Sequence, residues 1–162
     1  MKITKYGHSC LRVVDGSANI LIDPGTFSTG FEGLTDLTAV HSGDQLDLGT
    51  PVQVVGSDHA IVHVDIPVIP NVGYLIGGRL LHPGDSLVVP EQDVEILAVP
   101  ASAPWMAVKE AVEFFRAVNP AVAFPIHEKV IANPAMVYGL LARLGPPTAR
   151  WIDLDDGHTE EL

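Results

Sequence analysis

At 162 residues, 47% of them apolar, the chain is one domain with enough hydrophobic material to bury a core and too much for disorder. Its formal charge of −11 argues against a nucleic-acid backbone or an anionic membrane surface as partner, while leaving room for a small anionic ligand held by a local cation. The single cysteine, Cys10, excludes an internal disulfide and a cysteine-based zinc site, and the burial habit of free cysteine assigns it to the core.

The N-terminal stretch MKITKYGHSC has no apolar signal core and no run reaches membrane-spanning length, so the expected location is the cytoplasm. KITKY (2–6) alternates as a strand does. CLRVVD (10–15) and NILID (19–23) flank Gly16 and Ser17, which suits a hairpin; Pro24 and Gly25 then stop the ladder. Residues 26–36 read as loop. LTAV (37–40) opens like a buried strand and breaks at His41, before a Ser-Gly-Asp turn. TPVQVVGS (50–57) is a further strand, and NVGYLI (71–76) and RLLH (79–82) are joined by Gly77-Gly78, a turn that accepts positive φ at both positions. VEILAVP (94–100) is a continuous apolar strand, expected to be buried on both faces, and AFPIH (123–127) is a shorter one. Two helices are predicted. Residues 107–118 place Val108, Ala111, Val112, Phe115 and Val118 on one face. Residues 134–144 have Asn133 as N-cap, Pro134 in the first turn and Gly145 beyond the end. The tail DLDDGHTEEL is acidic and expected to be exposed. The strand-rich pattern gives an α/β or α+β class for a single domain spanning 1–162, and no function.

Seven histidines carry the chemical interest. His59 follows the strand VQVV, Asp85 follows RLLH, and His127 closes AFPIH. Two imidazoles and one carboxylate at three strand ends form a metal-ligand set of neutral nitrogen donors plus one charge-neutralising oxygen. A lone strand-end histidine is more often hydrogen-bonded to backbone than bound to a metal. Ser9 beside His8 suggests a nucleophile pair, but adjacent strand residues point to opposite faces.

The segments YGHSCLRV, ILIDPG, SDHAIVHVDIP, NVGYLI, LLHPGDS, VPASAPW and AVEFFRAVNPAVAFPIH, in this order, resemble the metallo-β-lactamase-fold hydrolases, in particular the branch similar to ascorbate-6-phosphate lactonase. The resemblance covers nearly the whole chain. It implies an αββα sandwich with a metal site at one edge between the sheets. It also implies that His59 ligates one metal, Asp85 bridges two, and His127 ligates the second. His8 and Asp23 match positions beside the site, supporting ligands or facing substrate; alternatively Asp23 caps the turn before Pro24 and His8 is a buried strand-end histidine. His63 either shapes its loop or faces substrate, His82 sits behind the ligands, and Trp105 either lines the pocket or packs in the core.

In that family a strand like LTAV runs on into H-x-H-x-D-H, which supplies ligands to both metals. That motif is absent here. DLTAV passes directly to HSGDQLDLG, so His41 reads as the seam of an internal deletion near 40–41, or else as an ordinary turn residue. Two ligands per ion is too few for a tight binuclear site. His59, Asp85 and His127 would instead converge on a single divalent ion (Zn, Mn, Fe or Ni), weakly bound or absent, with catalytic residues unknown. The expected function is a hydrolase of a small ester, lactone or phosphodiester whose activity is weak or lost. The rival is a non-catalytic binding protein, and a third reading is an accidental or artificial truncation. Removing strands exposes an edge, so a homo-oligomer, a dimer first, is expected; the partners are otherwise a small-molecule substrate, with no nucleic acid and no membrane.

Overall fold

A computed structural model of the chain describes residues 1–30, 43–154 and 156–162. The LTAV strand and His41 lie outside the described residues. In chain order the elements are β1 (Lys2–Lys5), β2 (Leu11–Asp15), β3 (Ala18–Ile22), β4 (Gln45–Asp47), β5 (Pro51–Val55), β6 (Gly73–Ile76), β7 (Leu80–His82), β8 (Ile96–Pro100), α1 (Val108–Val118), β9 (Val122–Ile126), α2 (Pro134–Leu144), β10 (Arg150–Trp151) and β11 (Thr159–Glu161), with a 3-10 turn at Glu128–Val130.

The strands make two sheets. One is antiparallel throughout, in the order β11-β1-β2-β3; the other runs β10-β9-β8-β7-β6-β5-β4. Within the larger sheet β7 to β10 are parallel neighbours, whereas β4 to β7 pair antiparallel. The local chemistry explains the joints. Asp15 pairs with Ala18 across a two-residue turn in which Gly16 takes φ +58°, and Gly77 and Gly78 take +61° and +65°, the primed turn that matches strand twist.

The inner faces meet in one apolar layer: Ile3, Leu11, Val13 and Ile22 from the small sheet pack on Val52, Ile76, Leu80, Ile96, Phe124 and Ile126 from the large one. A second layer lies outside the large sheet, where Leu81, Leu97 and Val99 meet Ala111, Val112, Phe114 and Phe115 of α1 and Val137 and Leu141 of α2. All five residues of β8 are therefore buried, as its unbroken apolar run predicts. Each large aliphatic or aromatic side chain so buried contributes about 1.5–3 kcal/mol. Both helices lie on the outer face of the large sheet, so three of the four expected layers are present among the described residues. None of the described helices is long and apolar enough to cross a membrane.

The structure amends two local readings and shows one cap that was not read. Asn133 makes no side-chain hydrogen bond at the start of α2, which relies on Pro134 to preset the first turn. The start of α1 is held from inside, by Glu110 Oε2 accepting the Ala107 N–H at 2.7 Å. The acidic tail is more than an exposed end: Leu154 is buried, and Thr159–Glu161 extends the small sheet by pairing with Lys2–Thr4. Cys10 is fully buried as expected, and burial pushes its thiol up to about 11, which leaves it protonated and unreactive.

Candidate metal centre

Five loops converge at one end of the sandwich. His8 lies in the β1–β2 turn and Asp23 directly after β3, both from the small sheet. His59 follows β5, Asp85 follows β7 and His127 follows β9, all from the large one. The three residues expected as ligands do meet around Asp85: its Oδ2 stands 3.9 Å from His59 Nε2 and its Oδ1 3.7 Å from His127 Nδ1. His127 Nδ1 is also 3.2 Å from His8 Nε2, with the two rings edge to face.

Backbone conformation marks the same place. Among the described residues four non-glycine residues adopt positive φ, and three of them are His8 (+53°), Asp23 (+48°) and His127 (+65°). A left-handed residue bearing a Cβ costs roughly 1–2 kcal/mol, so the surrounding structure has to hold these turns in place. Reciprocal contacts do so: His8 N–H donates to Glu128 Oε1 at 3.1 Å, and His127 N–H to the His8 carbonyl at 3.3 Å.

Hydrogen-bond partners assign the proton on two of the rings. His59 Nδ1 is 2.5 Å from the Ala60 carbonyl, which can only accept, so Nδ1 carries a hydrogen and Nε2 is the nitrogen turned toward Asp85. His82 is saturated. Its Nε2–H donates to the Ser9 carbonyl at 2.9 Å and its Nδ1 accepts the Gly84 N–H at 3.2 Å, so it has no lone pair left for a metal. It tethers the chain one residue before Asp85, with Asp23 Oδ2 3.8 Å behind it. Burial, opposed by His82, raises the Asp23 carboxyl above the usual carboxylate range. Burial pushes His127 down to about 4, opposed by Asp85, and keeps it neutral and able to donate a lone pair. His8 is lowered mainly by burial too. Buried His8 Nδ1 and His127 Nε2 have no hydrogen-bond partner among the described residues. His63 stands in an exposed loop with its ring on Asp65, 3.5 Å from that carboxylate.

Among the described residues no three His, Cys, Asp or Glu side chains gather closely enough to hold one metal. What exists is two histidine–carboxylate pairs sharing Asp85, each offering two donors where a catalytic zinc usually has three protein ligands.

Sequence reasoning left Trp105 between pocket and core and missed the other supports. Trp105 lines the site: its Nε1–H donates to Asp85 Oδ1 at 3.3 Å, and its ring lies 5.9 Å from that of His59. Asn71 accepts the Asp85 N–H at 2.8 Å and donates to the Pro83 carbonyl at 3.1 Å, so one amide fixes both ends of the Pro83–Asp85 turn. Beneath His8 lies a buried ion pair, Lys5 Nζ to Glu128 Oε2 at 2.7 Å. Only the Asn in PNVGY and the Gly in HPGD, as turn residues, were hints. Gly84 takes φ +62°, and a Cβ there would come within 2.4 Å of Asn71 Oδ1. Gly84→Ala is therefore expected to lose about 1–3 kcal/mol in urea denaturation, and a change under 0.5 kcal/mol would remove Asn71 as the clamp.

Comparison with known proteins agrees with this layout. The profile described as Beta-lactamase superfamily domain matches residues 35–127. Protein Rv0786c of Mycobacterium tuberculosis is 39% identical over 196 aligned positions, covering 89% of this chain and 92% of that protein. Among solved structures, Igni18, a metallo hydrolase from the archaeon Ignicoccus hospitalis, superposes with a TM-score of 0.69 at 16% identity, covering 99% of this chain and 98% of that one. CmlA, a diiron β-hydroxylase from Streptomyces venezuelae, gives 0.70 at 16% identity over 99% of this chain and 54% of its own. An isothiocyanate hydrolase from Delia radicum gut bacteria gives 0.68 at 10% identity over 100% and 99%. At such identities the structures speak for the fold alone. The profile match and the mycobacterial relative carry the assignment: the chain belongs to the Beta-lactamase superfamily domain family, with the metallo-hydrolase fold.

Proposed function

We propose that this chain is a hydrolase-family protein with a depleted metal centre. It binds a divalent ion (Zn, Mn, Fe or Ni) only weakly, through Asp85 with His59 or His127, and hydrolyses a small ester, lactone or phosphodiester slowly or not at all. The observation that carries this is the arrangement of Asp85, one oxygen toward each histidine, while no three His, Cys, Asp or Glu side chains among the described residues gather closely enough to hold one ion. The absence of H-x-H-x-D-H from the sequence supports it. So does the alignment with the mycobacterial relative: its 196 positions exceed the 162 residues here, so that protein contains residues with no counterpart in this chain, in keeping with an internal deletion near 40–41. The motifs YGHSC and LLHPGDS suggest a place near the ascorbate-6-phosphate lactonase branch. When bound, an ion at such a centre supplies Lewis acidity and a water of lowered pKa. This chain's own contribution is to hold His127 neutral, to point His59 Nε2 at Asp85, and to anchor Asp85 through Trp105 and Asn71.

Equilibrium dialysis against zinc and manganese, followed by desalting and metal analysis, tests this reading. Less than one equivalent should survive desalting, and His59→Ala or His127→Ala should reduce the dialysis isotherm further. Two tightly retained equivalents would refute a depleted centre. Binding that ignores both substitutions would refute the ligands.

A second reading, a non-catalytic oligomer in the cytoplasm, draws on β3, which has a neighbour on one side only among the described residues. An open edge of this kind favours pairing with a second copy. Light scattering should then give a dimer mass, and a monomer across the micromolar range removes this reading.

A further inference from the structure

Between His59 and β6 the chain makes a loop unlike the rest of its surface. Its neck is closed by His59 N–H donating to the Ile69 carbonyl at 2.9 Å, Asn71 N–H to the Ser57 carbonyl at 3.1 Å, and an Asp58–Pro70 bridge. Both ends are thereby tied to the candidate centre, and Ala60 N–H donates to the Asp85 carbonyl at 2.8 Å. Yet the loop is almost entirely aliphatic and exposed: Ile61 is 67% exposed, Val64 86%, Ile66 50% and Ile69 59%. In a chain of net charge −11, Asp65 is the only carboxylate in residues 60–70. A concentrated apolar surface of this kind marks a contact with something other than water.

The loop also encloses a cavity of about 90 Å³, lined by Val62, Ile66, Val68 and Ile69, with His59 as its polar wall. His59 has two duties: it lines this cavity, and its Nε2 faces Asp85 at 3.9 Å. A group filling the cavity is thus attached to whatever reaches the centre. Its size sets the chemistry. Benzene occupies a cavity of about 150 Å³, and a water-sized unit takes about 30 Å³, so the space suits roughly three carbons of an aliphatic branch and not an aromatic ring.

We propose that the loop is the substrate-specificity wall of the centre, and that the ligand it accepts is a neutral ester or lactone bearing a short alkyl substituent of about three carbons. This deepens the hydrolase reading above and rests on it for the reacting group, but its test needs no metal and no turnover.

The experiment uses the full chain with EDTA, labelled at Ile and Val methyls, titrated by NMR with three neutral lactones: γ-butyrolactone without a substituent, γ-heptalactone with a propyl group, and γ-phenyl-γ-butyrolactone. Burial of each methylene is worth about fourfold in affinity, so the propyl lactone should bind at least about tenfold tighter than the bare ring. The phenyl lactone should bind more weakly than the propyl one. Shifts should concentrate on Val62, Ile66, Val68 and Ile69, and Val62→Ser with Ile66→Ser should abolish the propyl preference. Equal affinities for the three lactones, shifts centred elsewhere, or a preference untouched by the serine variants would each overturn the proposal. A loop found shielded in a dimer and indifferent to all three would overturn it in favour of a second copy as occupant. Because metal is absent throughout, these results are separate from the dialysis experiment, and either reading can fail while the other stands.

Discussion

Glu128→Ala is expected to destabilise the protein by about 3–5 kcal/mol, more than any other single change at the candidate centre. Lys5 is 1% exposed and its ammonium lies 2.7 Å from Glu128 Oε2, while Oε1 accepts the His8 N–H. Deleting the carboxylate leaves a charge in an apolar setting and an unanswered backbone donor in a strained turn, and both costs fall on the same few residues. For a domain of this size the loss corresponds to roughly 6–20 °C in thermal midpoint, readable by circular dichroism. Replacing both partners, Lys5→Met with Glu128→Leu, should recover much of the loss, because an apolar pair removes the uncompensated charge. If Glu128→Ala melts within about 2 °C of the parent, the pair is not what holds His8 and His127 in their left-handed turns.

Asp85→Ala is expected to abolish such metal binding as the chain has, with little effect on folding. The side chain is 39% exposed, so its removal opens no cavity in the core. It is nevertheless the carboxylate faced by both His59 and His127, so both histidine–carboxylate pairs disappear together. The loss of zinc affinity in competition with a chromophoric chelator should exceed the ~10–100-fold that removal of a supporting group causes. Trp105→Phe, which deletes only the 3.3 Å hydrogen bond to Oδ1, should fall within that smaller range. His63→Ala should leave affinity unchanged, since that ring lies on Asp65 in the exposed loop. Undiminished zinc binding by Asp85→Ala would place the ion elsewhere and remove the basis for the proposed function.

The parts of this protein legible in its sequence are those governed by short-range pattern. Gly16-Ser17 and Gly77-Gly78 announced their hairpins because positive φ is a property of the residue itself, and the apolar run 96–100 announced a doubly buried strand because no polar side chain interrupts it. His59, Asp85 and His127 could be singled out because each closes or follows a recognisable strand. Tertiary structure decided everything that depends on which strand end meets which. Glu128 looks like a solvated charge until a partner 123 positions earlier lies beneath it, and Trp105 looks like core until its indole N–H meets Asp85. The two-residue strand at Arg150–Trp151 and the acidic strand at Thr159–Glu161 have no periodicity to read, and exist because β9 and β1 offer them open edges. That Asp85 turns one oxygen to each histidine, while His8 packs its ring edge on His127, was likewise settled by folding. Residue type determines which groups are able to donate; the crossing of two sheets determines how many of them reach one point.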